Sequence, residues 1–225
     1  MYKKFLKRPF DILCSFCGLA VLFPVMIVLS VVGAIVMKGN PFFTQLRPGK
    51  DEKIFRLVKF RTMTCEKDEN GNLLPDEKRL TKYGEFLRST SLDELPELLN
   101  IFIGDMSVIG PRPQLVRDMV FMTEEQRRRH SVRPGLSGLA QCNGRNAMSW
   151  ESKFEYDLEY IDNITFLGDV RIILKTIVKV FERDGITEEG MATAEDLGDY
   201  LLHKGIVEET EYAEKQAEAK ELMKV

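Results

Sequence analysis

The chain has 225 residues, 44% hydrophobic and 30% charged, with a formal net charge of −3 and a pI near 5.6. That length supports one substantial core and a small appendage, not two full-sized domains. Acids and bases nearly balance, which excludes the overall basic field of a nucleic-acid binder and makes any anion site a local one.

Residues 12–37 carry no charged side chain, the largest composition shift in the chain. The run is too long for a cleavable secretory signal, and no small-x-small cleavage site follows it, since Met37-Lys38-Gly39-Asn40-Pro41 comes next. It is long enough to cross a bilayer, which takes about 20 apolar residues. Pro24 lies mid-run, where it removes a backbone donor and clashes with the preceding turn. A kink or break is expected near Phe23-Pro24, giving two halves of about 12 residues and about 18 Å each. Lys3, Lys4, Lys7 and Arg8 precede the run, and Lys38, Arg47, Lys50 and Lys53 follow it. Positive residues stay on the cytoplasmic side, so both ends belong there. That favours a re-entrant helix-break-helix over a Pro-kinked crossing.

Cys14 and Cys17 fall inside this run as C-S-F-C, and neither Cys65 nor Cys142 has a Cys or His at ligand spacing. Zinc and a disulfide framework are both disfavoured, and the pair reads as small apolar residues of a membrane helix.

Phe42-Phe43-Thr44-Gln45, the turn Arg47-Pro48-Gly49-Lys50 and residues 54–63 read as a β-hairpin. Residues 65–79 form a charged loop containing Asn-Gly, and a short helix spans 80–88. Ser91-Leu92-Asp93-Glu94-Leu95-Pro96 leads into an apolar helix toward Ile103, after which Gly104, Gly110, Pro111 and Pro113 mark a tight loop. Thr123-Glu124-Glu125-Gln126 is a capping box opening a basic helix that ends near His130. Residues 133–146 are rich in Gly and read as a loop shaped around something. Ser149 caps a helix carrying Trp150, Phe154, Asp157 and Tyr160. Val170, Ile173, Leu174, Ile177, Val178 and Phe181 recur at helical spacing, placing that helix on the core, with the membrane surface as the alternative. Beyond Gly185 the chain turns acidic and Ala-rich, as a solvated helical appendage would. The fold class is α+β and mainly helical, divided into a membrane anchor (1–40), a catalytic domain (41–185) and a charged helical extension (186–225).

Asp93 and Glu94 lie at a helix start, either inside its first turn if Ser91 is the cap or just before it if Pro96 is the first helical residue. Acids favour such places for capping alone. A chemical role needs a phosphate nearby, and Lys59, Arg61, Arg88, Arg112, Arg133 and Arg145 each sit at or beside a turn, strand end or helix end. Arg112 is held between Pro111 and Pro113, a stiff platform suited to bidentate phosphate contact. Arginines near Asp93 are expected to lower its pKa and keep it ionised, as a carboxylate nucleophile requires. Such a carboxylate can attack phosphorus, with Mg2+ neutralising the phosphate oxygens and Glu94 holding the metal or assisting proton transfer. His130 and His203 have no Ser or Cys partner, which disfavours a Ser-His-Asp mechanism.

Read together, Lys59-Phe60-Arg61-Thr62-Met63, Ser91-Leu92-Asp93-Glu94-Leu95-Pro96, the run from Gly104-Asp105-Met106 to Gly110-Pro111-Arg112-Pro113, Arg133-Pro134-Gly135 and Asn143-Gly144-Arg145-Asn146 closely resemble the bacterial sugar transferases known as small monotopic phosphoglycosyl transferases. The likeness is collinear over residues 7–185. It implies a re-entrant membrane helix broken at Pro24 and an active site on the cytoplasmic face of the bacterial inner membrane. It further implies transfer of a sugar-1-phosphate from a UDP-sugar to polyprenyl (undecaprenyl) phosphate, with release of UMP, to initiate glycoconjugate assembly. Asp93 maps to the nucleophile that carries the phospho-sugar, Glu94 to its acidic partner, and the two together to the Mg2+ ligands. Lys59, Arg88, Arg112 and Arg145 map to phosphate or nucleotide binding, and Asp157 and Tyr160 to positions close to the site. Membrane lipids are the implied surroundings.

Two departures stand out. Phe23 precedes the helix-breaking proline where the family often has Ser or another polar residue, and the tail after Gly185 is longer than the minimal enzyme, which points to partners or a homo-oligomer. Two other functions compete: a membrane-anchored module that binds anionic lipid without catalysis, and a hydrolase using the same aspartyl chemistry. The sequence does not choose the sugar.

Overall fold

The computed structural model describes residues 1–144, 148–182 and 195–224, with 180–182 described by backbone alone. A π-helical turn at Tyr2–Leu6 runs into helix α1 (Lys7–Val36), which is continuous through Pro24. Of the expected kink or break at Pro24, the break into two separate helices is corrected, since the helical backbone is not interrupted. Proline costs the ladder one donor, but Leu19 and Leu22 before it and Met26 and Leu29 after it all pack on the rest of the molecule, and that shared footing keeps the helix whole. The other side of α1 is apolar and open, with Val21, Phe23, Val28 and Ile35 more than half exposed.

Strands β1 (Phe42–Pro48) and β2 (Ile54–Phe60) form the expected hairpin, in register from Phe42↔Phe60 to Pro48↔Ile54. The Phe42 and Phe60 rings stack at 5.3 Å, a cross-strand pair that fixes the open end. After α2 (Asp76–Arg79), helix α3 (Lys82–Ser89) starts at Thr81, whose hydroxyl accepts from the Gly84 amide at 3.0 Å. Gly84 lets α3 press on the chain just beyond β2, because a Cβ there would stand 2.0 Å from the Thr62 carbonyl oxygen.

A single 3-10 turn at Leu92–Glu94 precedes α4 (Glu97–Ile103), with Pro96 at its cap. Buried Asn100 pins α4 to β2: its side chain accepts from the Val58 amide at 3.1 Å and donates to the Arg56 carbonyl at 2.8 Å. Strand β3 (Ser107–Ile109) follows, then α5 (Val116–Met119) and α6 (Glu124–Arg127), which opens with the expected Thr123–Gln126 capping box.

The Gly-rich stretch from Arg133 is not the loop its composition suggests. It forms β4 (Gly135–Ser137), parallel to β3, and α7 (Leu139–Gly144). Its glycine serves packing: a Cβ on Gly135 would lie 2.0 Å from the Gly110 amide nitrogen, so the two backbones can meet only without side chains.

Helix α8 (Trp150–Asp162) is capped by Ser149 as expected, and α9 (Phe166–Glu182) follows it. Asp169 and Ile172 of α9 are buried, but Leu167, Leu174 and Val178 are more than half exposed, so the expectation of core packing holds for one face only. Helices α10 (Leu197–His203) and α11 (Glu209–Leu222) have the helical character expected of the tail, but one side of them is packed, not solvated. Leu197, Val207 and Ala219 are buried in one cluster with Val116, Val120, Phe121, Trp150 and Phe154.

Candidate active site

The 3-10 turn puts Asp93 and Glu94 where charged side chains from β2, α3, α4 and the loop after β3 converge. Ser91, at φ 56°, makes no side-chain cap, so the carboxylates are not tied up in the capping box that Ser-x-x-Glu suggests. Lys59 reaches in from β2, and Arg112 from between its flanking prolines. Both meet one oxygen of Glu94: Lys59 Nζ and an Arg112 guanidinium nitrogen each lie 2.8 Å from Oε1.

Burial opposes ionisation of Glu94, yet the charges of Arg112 and Lys59, with the hydrogen bonds both donate, hold its carboxyl well below the usual carboxylate range. The same contacts push Arg112 upward, and Glu94 and Glu97 outweigh the burial of Lys59 to raise it as well.

Asp93 behaves differently. Its pKa is raised, first by burial and then by the negative charge of Glu94, and the opposing charges of Lys59, Arg112 and Arg88 do not cancel these. The expectation that nearby arginines would lower it is thus reversed, because Glu94 claims the cations at close range. Among the described residues no side chain forms an ion pair or hydrogen bond with Asp93, so its carboxylate is left to an incoming group.

Lys59, Arg88, Arg112, Asp93 and Glu94 are therefore brought together as the sequence suggests, Arg88 standing at the end of α3 with its Nε on the Thr62 hydroxyl at 3.2 Å. Arg145 lies outside the described residues. Arg61 points to the Cys65 sulfur at 3.7 Å, and Arg133 turns to the Gly104 carbonyl at 2.7 Å. The Tyr160 hydroxyl lies 3.0 Å from the Ile109 carbonyl oxygen and 2.8 Å from an Asp169 carboxylate oxygen, sharing its one proton between them, and Asp157 pairs with Arg129, so both brace the strand and loop behind Arg112.

Sequence reasoning missed Glu97. Its side chain is 3% exposed, and its Oε1 forms an ion pair with Lys59 Nζ at 3.0 Å. Burial lifts its pKa to about 7 against the pull of Lys59. The signal was the spacing Glu94-x-x-Glu97, one helical turn, which reads equally well as an ordinary acidic first turn.

No cluster of three His, Cys, Asp or Glu suited to a metal is found among the described residues. A complete protein cage for Mg2+ is thus absent there. Mg2+ commonly takes only one or two carboxylates and completes its shell with water and substrate phosphates, and Asp93, without an ion-pair partner among the described residues, fits that mode beside Glu94.

The family description "Bacterial sugar transferase" matches residues 2–183. An uncharacterized sugar transferase of Bacillus subtilis is 49% identical over 195 residues, covering 84% of this chain and 94% of that one. The UDP-glucose:undecaprenyl-phosphate glucose-1-phosphate transferase of Klebsiella pneumoniae is 38% identical over 185 residues, 78% of this chain and 40% of its own length. The undecaprenyl-phosphate galactose phosphotransferase of Salmonella typhimurium is 34% identical over 200 residues, 81% of this chain and 42% of its own. This chain thus spans about two fifths of those two enzymes.

Proposed function

The chain belongs to the bacterial sugar transferase family, and from that premise we propose that it is a phosphoglycosyl transferase moving a sugar-1-phosphate from a UDP-sugar to undecaprenyl phosphate. The observation that carries this reading is the partly buried Asp93, without an ion-pair partner among the described residues, in the field of Lys59, Arg88 and Arg112. A carboxylate oxygen of Asp93 attacks the phosphorus that bears the sugar. The bond from that phosphorus to the UMP oxygen breaks, UMP leaves, and the phospho-sugar stays on Asp93 as an acyl phosphate. An oxygen of undecaprenyl phosphate then attacks the same phosphorus, breaking the bond to Asp93 and restoring the carboxylate.

Lys59 and Arg112 are fixed by Glu94 before substrate arrives, so their charge need not be organised during the reaction. Arg88 adds positive potential from the α3 side. Mg2+, held by substrate phosphates with Asp93 and Glu94 as the protein ligands, would supply neutralisation of the phosphate oxygens.

We further propose that α1 enters and leaves the same leaflet of the bacterial inner membrane, with the site on the cytoplasmic face. α1 docks on the same body before and after Pro24, and a bend at Pro24 without loss of the helix is what returns it to the leaflet it enters. Near the start, Arg8 donates to the Ile101 carbonyl at 2.6 Å, and near the end Tyr83 donates to the Leu29 carbonyl at 2.7 Å. A straight crossing helix would have to carry its far half away from α3, where Tyr83 sits.

The test is UMP release by protein in nanodiscs with undecaprenyl phosphate and Mg2+, over a panel including UDP-glucose and UDP-galactose, with Asp93→Asn in parallel. Release that needs one sugar, the lipid and Asp93 is expected. Full activity of a folded Asp93→Asn protein would sink the mechanism, and free sugar phosphate as main product would replace the transferase by a hydrolase.

A further inference from the structure

A second cluster of positive charge lies away from Asp93, at the foot of α1. A cleft of about 270 Å³ is lined by Lys3, Lys4, Lys7, Arg8, Lys50 and Arg133, with Asp11 the one carboxylate in its wall. A larger cleft of about 460 Å³ adjoins it, sharing Lys50 and Arg133 and adding Lys53, Asp51 and Asp105. Neither is lined by Lys59, Asp93, Glu94 or Arg112.

Some of these cations have structural work. Lys7 is paired with Asp169 at 2.7 Å, Lys3 donates to the Ile161 carbonyl at 3.0 Å, and Arg8 caps the end of α4 through the Ile101 and Phe102 carbonyls. Asp11 is turned inward, accepting from the Ser107 hydroxyl and the Val108 amide at 2.9 Å each. Arg133 and Arg8 converge on Gly104: Arg133 Nε donates to its carbonyl at 2.7 Å, and an Arg8 nitrogen lies 3.3 Å from where a Cβ would stand. Counting Asp11, the Asp169 partner of Lys7 and the exposed Asp51 beside Lys50, the first cleft still keeps an excess of three positive charges.

The rim points to the source of the anion. Phe5, Leu6 and Leu13, on the side of the amino-terminal helix turned away from the cleft-lining lysines, and Leu167 on α9 are each more than half exposed, so this end of the molecule is apolar beside its basic cleft. Tyr2 and Phe10 both set their rings against Phe166 at 5.6 Å, so the two helices present one apolar border. A free phosphate has no use for that border, whereas a phospholipid fills the cleft with its headgroup and lays its acyl chains along it.

We propose that this cleft is a binding site for the headgroup of an anionic phospholipid, separate from the transfer site and positioning the amino-terminal end of α1 at the membrane surface. It rests on the membrane placement proposed above but not on the transferase chemistry. Lys4 and Lys50 are exposed and supply its charge without holding the fold.

The experiment compares native protein with Lys4→Gln/Lys50→Gln in phosphatidylcholine proteoliposomes, using spin-labelled phosphatidylglycerol and spin-labelled phosphatidylcholine as probes of motionally restricted lipid. Native protein is expected to prefer phosphatidylglycerol by about fivefold, and the double variant to lose most of that preference. No preference in the native protein, or an undiminished one in the variant, would overturn the proposal. Inorganic phosphate displacing the label better than sodium chloride of equal ionic strength would identify a free-anion site and overturn the lipid assignment. UMP release is read in the same vesicles: retained activity in the variant supports a separate site, and its loss would merge the cleft with the transfer site. Lipid preference in native protein that releases no UMP would leave this inference standing while removing the transferase reading.

Discussion

A guanidinium nitrogen of Arg129 donates to the backbone carbonyl of Arg112 at 2.7 Å, while the same guanidinium is held by the Asp157 carboxylate at 2.6 and 2.9 Å. The backbone that presents Arg112 to Glu94 is thus anchored by a buried ion pair on α8. Asp157→Ala strands a buried arginine, and breaking one partner of such a pair costs about 3–5 kcal/mol. The expected result is a clear fall in thermal midpoint together with a rise in KM for the UDP-sugar, as Arg112 loses its support. Unchanged midpoint and unchanged KM would mean that the Arg129–Asp157 pair does not set the position of Arg112.

The raised pKa of Asp93 predicts the acid side of the pH profile. Protonated Asp93 cannot attack phosphorus, so kcat/KM should rise with pH along a limb lying above the ordinary aspartate value of about 4. Glu94→Gln removes a like charge and frees Lys59 and Arg112 to act on Asp93, so the limb should move to lower pH even as activity drops. A limb that stays in place or moves up in the variant would show that Glu94 does not tune Asp93.

Glu97 makes an opposite kind of prediction, for stability. Its pKa rises on folding from 4.5 to about 7, so between these values the folded chain holds a proton that the unfolded chain has released. Its contribution is intact below pH 4.5 and is lost as pH rises toward 7. Glu97→Gln cannot ionise and should gain about 1–3 kcal/mol relative to the native chain at pH 8, with little difference at pH 4. Asp118, raised to about 6, and His130, lowered to about 3, titrate in the same region, so the informative quantity is the difference between the two chains. Thermal midpoints from pH 4 to 8 supply it, and a constant difference would refute the assignment.

Much of this site was legible because its residues sit at backbone positions the sequence marks. The hairpin places Lys59, Pro111 and Pro113 place Arg112, and Pro96 ends the turn that carries Asp93 and Glu94. Long-range electrostatics were not legible. The cations nearest Asp93 in kind are spent on Glu94 at 2.8 Å, which reverses the expected shift, and no sequence spacing reveals which of two adjacent acids will take them. The glycines of residues 133–146 misled for a related reason: glycine marks close backbone approach as often as a loop, and only the partner strand, here β3, decides between them. The charge of the tail announced α11, which is polar over most of its surface, but not the burial of Leu197, Val207 and Ala219 in the cluster with Phe121 and Trp150.

The continuous α1 changes what should hold the membrane segment in place. If Pro24 alone set the path, Pro24→Leu would be enough to send the helix across the bilayer. The structure instead ties both sides of Pro24 to the body, and at the far side a Cβ on Gly33 would come within 3.1 Å of the Tyr83 hydroxyl and of Pro41. Gly33→Leu should therefore push the second half of α1 off α3 and disturb topology more than Pro24→Leu does. Single cysteines at Lys4 and Gly39, in a chain whose four native cysteines are replaced, can be labelled with a membrane-impermeant maleimide in inverted vesicles. Both sites should react in the otherwise native chain, and Gly39→Cys should lose most of its labelling in the Gly33→Leu background. Protection of one site in the native background would identify a crossing helix and overturn the re-entrant reading.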